Sequence, residues 1–576
     1  MGNPPYTRFQ ELKQPEFGPR YLEKVRNKLK AAGLNPLPSS EAGIYAYFIL
    51  HGKDFLIDGG RLGFVLLRQW LDVDYGEQLK EFILSNFKIV LAVESDVERW
   101  FEDAQMLPMF LVLERSERKL ERAANKVRFV RLGVTLSEIG GYREDFDRMG
   151  QARYWARMEL VADWLTRGGP APSPNLESGV RIQEVRQGDL DPAAKWSHRF
   201  RPTPVFDRIV RTDTVVPWDS IGATLSYGTI SGSVPYFVLT DPKNPWEVER
   251  EGKKYVLSGP GGPAFVLPED FVHPYVNKFR DLGAYELESP PDLIFSTNMG
   301  KADLAKYEPH ELRDKPLFLA PDGKQDSRRR GKTLHDFLGL DGRSEDALNH
   351  RGPLGYVEWG ELPIHAVRGQ LLPSAISASS APANRRLWYS VPLDPPPQFV
   401  MPTLVLQRCS VIRNRARCHN SQNIYGLSLE FTRVPARVRS RLSALAKKRG
   451  IDAFELYLRA AGALLNSAYV ALALDRAGRY VENRDGSIGV KLELQEWRRL
   501  RIPSLPDLGA AELARLADLY DGIRAAGTMQ MTARLADRAH QQLDHFVATA
   551  ILGLSNDESR ALIEEVRSLF DARQAP

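Results

Sequence analysis

The chain has 576 residues, 43% hydrophobic and 26% charged, enough for roughly two to four packed domains. Its two cysteines, Cys409 and Cys418, are too few for a four-thiolate zinc site, and a disulfide is not expected in a reducing compartment, so both read as ordinary thiols. A net charge of +5 and a pI of 8.9 permit a polyanionic partner without requiring one, and without a basic segment and apolar run at its start the chain is expected in the cytoplasm.

After a short opening that contains Asn3, Pro4, Pro5 and Tyr6, "EAGIYAYFILHGKDFLIDGG" spaces its apolar residues as a helix and ends in Gly-Gly. "RLGFVLL" then reads as a short apolar strand. "YGEQLKEFILSNF" is a second amphipathic helix feeding the strand "KIVLAVE", and "PMFLVLE" is a third strand. Apolar runs separated by helices predict a parallel sheet covered on both faces, so residues 1–166 read as an α/β domain. Around residues 167–179 the composition turns to Gly, Pro and Ser, which suits a boundary.

Residues 180–435 are irregular and mostly β, with "PYFVLT" as a strand and "PYVNKFRDLG" as one of the few helical stretches. Residues 436–576 are predicted helical, with "GSIGVKLEL" inserted as a strand and the last helices packing on the preceding region or on a partner. The most apolar stretch, "ELYLRAAGALLNSAYVALAL", contains Arg459, Asn466 and Ser467, which are costly in hydrocarbon. It reads as a buried amphipathic helix, and no membrane span is expected. Positive charge gathers in "QDSRRRGK" (Arg328, Arg329, Arg330, Lys332) and "RCSVIRNRARCHN" (Arg408, Arg413, Arg415, Arg417), all candidates for phosphate contacts.

The opening motif carries the chemistry. Adenine N6 is a poor nucleophile because its lone pair is delocalised into the ring. The side-chain oxygen of Asn3 and the carbonyl of Pro4 can each accept one amino hydrogen, drawing the nitrogen toward tetrahedral geometry. The two prolines fix their own φ and restrict Asn3 to extended backbone, while Tyr6 offers a flat face for an extruded base. The implied reaction is direct displacement on a sulfonium methyl, with no covalent enzyme intermediate and no metal.

"GNPPYTRFQEL", "FLIDGGRLGFVLLRQWL", "DYGEQLKEFILSNFKIVLAVES" and "VERWFEDAQMLPMFLVLER" resemble, in order and spacing, the catalytic half of N6-adenine DNA methyltransferases of the type I and type IIG restriction-modification class. The resemblance implies the C-terminal half of a Rossmann-like sheet, with Asn3–Tyr6 ending its fourth strand and Gly59 to Phe64 entering its fifth. It places on Phe101 the aromatic that clamps the flipped adenine from the far side. "IGATLSYGTISGSVPYFVLTD", "HPYVNKFRDLG", "RRLWYS", "RCSVIRNRARCHNSQNIYGL" and "AGALLNSAYVALALDRAGR" resemble landmarks of a target recognition domain, here a mixed α+β region over 180–435 with its helical remainder and C-terminal helices over 436–576.

The same resemblance implies double-stranded DNA as partner and S-adenosyl-L-methionine as methyl donor. Such enzymes hold the donor on a glycine-rich loop that precedes the motif, and none is found here; "LSGPGGPAF" (Gly259, Gly261, Gly262) has prolines and no following helix, so it reads as a loop. No residue is therefore assigned to the cofactor. The expectation is a split or truncated enzyme completed by an N-terminal half or partner subunit, with "RLGFVLL" left as an unpaired apolar edge. A catalytically inactive DNA-binding specificity module is the alternative. A fused nuclease is not expected, because "SPPDLIFSTNMGK" carries a Pro-Asp pair without the acidic residue and lysine that should follow.

Overall fold

In a computed structural model the residues described are 2–6, 20–31, 43–98, 100, 108–141, 148–244, 246–259, 262–308, 351–361, 365–367, 370–372, 380–482, 487–571 and 573. Phe101 and the run Arg328, Arg329, Arg330 and Lys332 lie outside them.

The first unit contains α1 (Tyr21–Ala31), α2 (Ile44–Gly52), β1 (Arg61–Leu67), α3 (Glu77–Asn86), β2 (Phe87–Ser95), β3 (Pro108–Arg115), α4 (Lys119–Ala124), β4 (Lys126–Leu132), α5 (Leu136–Gly140), α6 (Arg148–Arg167), α7 (Pro174–Gly179) and β5 (Val180–Arg186). Its strands lie in the order β1-β3-β2-β4-β5. Side chains alternate between two buried faces: Met109, Leu111, Leu113, Val127 and Phe129 pack with α2 and α3, while Phe110, Val112, Val130 and Leu132 pack with Val161 and Trp164 of α6. Burial of both faces is why these strands read as continuous apolar runs.

The wholly parallel sheet expected from those runs is corrected. β2 and β4 are parallel, but β3 is antiparallel to both β1 and β2 and lies between them. The α3 crossover carries the chain from β1 to β2 in the same direction and leaves a strand position free. The short link from β2 to β3 returns the chain antiparallel into that gap. The change of composition at 167–179 does not end this sheet either, since β5 follows it and pairs antiparallel with β4 along its whole length.

Beyond β5 the strands are short and paired over long sequence distances. A five-stranded sheet joins residues 286–287, 412–414, 399–402, 424–429 and 223–226 in that order. "PYFVLT" forms not a strand but a helical turn, Val234–Phe237, with Pro235 near its start where a missing N–H costs nothing. "PYVNKFRDLG" is not a helix: Val272–Val276 is a strand held by 292–295 and 419–420, and Phe279–Asp281 is a tight turn. Partners distant in sequence override the local pattern at both places. Tyr236, Trp246, Phe265, Tyr356 and Trp359 form an aromatic core beside these strands.

Helices dominate after Ala436, and Ile488–Lys491 is the inserted strand. The most apolar stretch is two helices, Ala453–Leu465 and Ala468–Ala477, bent by 62° at Asn466 and Ser467. The Ser467 side chain caps the second helix by accepting from the Val470 N–H. Both helices are buried in the largest core, which also takes in Phe206, Phe399, Leu427, Leu513 and Phe570. The last helices thus pack on the strand region. Among the described residues no single helix is long and apolar enough to cross a membrane.

Candidate active site and nucleic-acid interface

Gly2 forms a parallel bridge with Phe64 on the edge of β1 away from β3: its N–H donates to the Gly63 carbonyl at 2.9 Å and its carbonyl accepts from Val65 N–H at 3.2 Å. Glycine allows this approach, because a Cβ on Gly2 would stand 2.9 Å from the Phe64 ring. Pro4 and Pro5 have no N–H to continue the ladder, so the chain leaves the edge after one residue. The apolar edge expected at "RLGFVLL" is covered at its centre by Gly2, and residues 62–65 remain half-buried.

Because the bridge is parallel, Asn3–Tyr6 run from it toward the carboxyl end of β1. The other strands of that direction, β2 and β4, finish at the same end, where open α/β sheets place their ligands. Pro4 is buried, and Asn3 and Pro5 are exposed. The Tyr6 hydroxyl donates to the Val65 carbonyl at 3.0 Å, which ties the far end of its ring to β1, and partial burial raises the phenol above its ordinary pKa. One exposed amide acceptor, one rigid Pro-Pro segment and one anchored aromatic ring therefore stand together at the sheet's carboxyl end.

At the same end of the sheet is a buried ionic network that no motif announced. Arg68, just after β1, pairs with Glu94 at 2.9 Å; Arg201 bridges Glu94 and Asp96; and Arg131 pairs with Asp96 at 2.9 Å. Burial lifts the Asp96 carboxyl above its ordinary range against the pull of Arg201 and Arg131. The Arg68 guanidinium also lies 4.8 Å from the centre of the Tyr480 ring, so the network joins the sheet to the C-terminal region. The available signal was a charged residue at the end of an otherwise apolar strand, as in "LLR" and "AVES".

The segments resembling recognition landmarks meet in space. Residues 223–226 pair with 426–429, Thr229 bridges Ser421, Arg385 donates to the carbonyls of Ile230 and Ser231, and 275–276 pair with 419–420. Gly228 is required at this junction, since a Cβ there would lie 1.9 Å from the Ser421 carbonyl oxygen. On either side of the turn in "LSGPGGPAF", whose residues 260 and 261 lie outside the described ones, Lys254–Gly259 and Gly262–Pro268 are antiparallel strands in which Gly259 pairs with Gly262. A hairpin that runs from strand to strand does not fit the glycine-rich, helix-leading cradle of a nucleoside cofactor.

The basic candidates differ in availability. Arg413 is corrected: it is 6% exposed and its guanidinium is held by Glu455 and Glu286, so its charge is neutralised inside the protein. Arg408 is half-buried and donates to the Arg280 carbonyl at 2.9 Å. Arg415 is exposed but faces Glu286 at 3.5 Å and Glu288 at 3.9 Å. Arg417 is exposed, with a φ of 53°. Cys409 and Cys418 are free and buried, which pushes their thiols up to about 11 and about 12.

Residues 1–101 match the model of the Eco57I restriction-modification methylase family. The chain is 28% identical over 130 residues to the Type II methyltransferase M.XhoI of Xanthomonas vasicola, covering 22% of each protein. It is 31% identical over 103 residues to the Type II methyltransferase M.BstVI of Geobacillus stearothermophilus, covering 18% of this chain and 16% of that one. The chain thus spans less than a quarter of the length of these relatives. The resemblance carried by Asn3–Tyr6 and the segments after it is one to restriction-modification DNA methyltransferases. Among solved structures, the Type IIL restriction-modification enzyme MmeI in complex with DNA aligns over 99% of this chain and 57% of its own, at 10% identity and a TM-score of 0.44. The type IIG restriction endonuclease BpuSI aligns over 96% of this chain and 52% of its own, at 11% identity and a TM-score of 0.37.

Proposed function

We propose that this chain is the catalytic edge and target-recognition part of a site-specific adenine-N6 DNA methyltransferase of a restriction-modification system, acting in the cytoplasm on double-stranded DNA. The observation that carries this reading is the parallel Gly2–Phe64 bridge, which sets Asn3–Tyr6 at the carboxyl end of β1. There the Asn3 side-chain oxygen and the Pro4 carbonyl accept the two amino hydrogens of an extruded adenine, and the Tyr6 ring stacks on its face. Phe101 is proposed to close the other face. Residues 180–435 read the duplex, supported by the junction at Gly228, Ser421 and Arg385, with 436–576 as their helical support. Arg408, Arg415, Arg417 and the Arg328, Arg329, Arg330 and Lys332 run are proposed to contact phosphates.

S-adenosyl-L-methionine is the methyl donor this reading calls for. No cradle for it is found among the described residues, and we propose that an N-terminal half or a partner subunit supplies the glycine-rich loop. The test is co-expression with that polypeptide and mass spectrometry of digested duplex DNA for N6-methyladenine. The complex should methylate, and Asn3→Ala should abolish the product while leaving DNA binding intact. Equal methylation by the Asn3→Ala complex would refute the catalytic assignment.

A further inference from the structure

A cleft of about 410 Å3 lies between the segment after β5 and the C-terminal helices, within the size range of small-ligand sites. β5, which contributes Gln183 to its wall, stands four strand spacings from β1, about 19 Å away. None of Asn3–Tyr6 lines it, although Ala194 on its wall is joined through Lys80 to the Leu71 carbonyl just after β1.

Its lining is strongly biased in charge. Arg199, Arg211, Arg476, Arg499 and Arg501 line it, against one carboxylate, Asp207. Lys195 also lines it, but its ammonium is neutralised by Glu496 at 3.2 Å. Arg476 is 7% exposed and stands 3.9 Å from Asp207, while Arg501 donates to the carbonyls of Thr212 and Val215. Among the described residues the side chains of Arg199, Arg211 and Arg499 have no hydrogen-bond or ion-pair partner, although the cleft brings all three together. Holding five guanidinium groups around one carboxylate costs Coulomb energy that an anion would relieve, and planar guanidinium forks match phosphate oxygens. Burial and the neighbouring cations Arg476, Lys195 and Arg199 hold His198 well below its ordinary pKa, so the imidazole adds no charge of its own. Phe206, Val210, Ala473 and Leu500 supply an apolar floor.

We propose that this cleft binds a phosphate-bearing ligand through Arg199, Arg211, Arg476, Arg499 and Arg501. The proposal does not depend on the methyltransferase reading. It is tested on the full chain with two probes, pyrophosphate by calorimetry and a short DNA duplex by its salt-dependent affinity. The variant is Arg199→Ala with Arg211→Ala and Arg499→Ala; the control removes the same charge elsewhere, with Arg437→Ala, Arg441→Ala and Arg515→Ala. If the ligand is a free phosphate compound, pyrophosphate binds the parent and control equally and the cleft variant at least about tenfold more weakly. If the phosphates belong to DNA, pyrophosphate does not bind, and only the cleft variant lowers the slope of log affinity against log salt, by about 2–3. Should the half-buried Arg199 prove necessary for folding, the exposed pair Arg211→Ala and Arg499→Ala carries the test, with a smaller change of the same sign. Cleft and control variants indistinguishable with both probes would overturn the proposal.

Discussion

Replacing Asn466 by alanine tests why the most apolar stretch breaks where it does. The Asn466 side chain is 4% exposed; its Oδ1 accepts from Val411 N–H at 2.8 Å, and its Nδ2 donates to the carbonyls of Val411 and Gly462, each at 2.8 Å. Alanine removes all three bonds and leaves the Val411 N–H buried without an acceptor. At about 1 kcal/mol per bond, with a further penalty of about 1–3 kcal/mol for an orphaned buried donor, the loss is at least about 3 kcal/mol, or about 150-fold in the local opening constant. Hydrogen exchange followed by mass spectrometry on peptides covering 408–414 and 462–468 reads this directly. Asn466→Asp keeps the acceptor but turns the two donors into lone pairs facing carbonyls, so it should open the same peptides at least as much. Unchanged protection in the alanine variant would refute the reasoning and leave Ser467 capping as the cause of the break.

Gly228→Ala would force a Cβ against the Ser421 carbonyl and disrupt the Thr229–Asn420 pairing, at a cost of about 3 kcal/mol, seen as a lower unfolding midpoint in denaturant and weaker duplex binding. Tyr6→Phe keeps the ring and loses the hydroxyl bond to Val65, worth about 1 kcal/mol, so on the proposed reading methyl transfer should fall about fivefold; Tyr6→Ala, which loses the stacking face, should fall much further. Arg201→Ala leaves Glu94 with Arg68 alone and Asp96 with Arg131 alone, and should destabilise the first unit by about 1–3 kcal/mol in denaturant titrations. Hydrogen bonds from Arg413 hold Glu455 down to about 2, so its contribution is complete above its ordinary value of 4.5 and is lost as pH falls through that range toward 2. Glu455→Gln should flatten that part of the acid-unfolding profile, and an unchanged profile would exclude Glu455 as a source of acid sensitivity.

Local periodicity made the elements of the first unit legible: β1 falls on "RLGFVLL", α3 and β2 on the segments read as helix and strand, and 488–491 on the inserted strand. Direction was not legible. A strand buried on both faces has the same composition whichever way it runs, and β3 could be placed only from the gap that the α3 crossover leaves. "PYFVLT" and "PYVNKFRDLG" misled because short segments take their state from partners distant in sequence.

At the candidate site the split follows the same physics. The sequence alone determined which groups are on offer for the proposed chemistry, since an amide oxygen, two ring-locked residues and an aromatic face at Asn3–Tyr6 are properties of residue types and their spacing. The tertiary structure decided where those groups stand and which charges are available. The parallel bridge at Gly2 puts the motif at the carboxyl end of the sheet, Glu455 and Glu286 remove Arg413 from the surface, and Arg199, Arg211 and Arg499, distant in sequence, come to line one cleft. Charge is a property of a residue, whereas whether that charge is neutralised depends on what the fold packs against it.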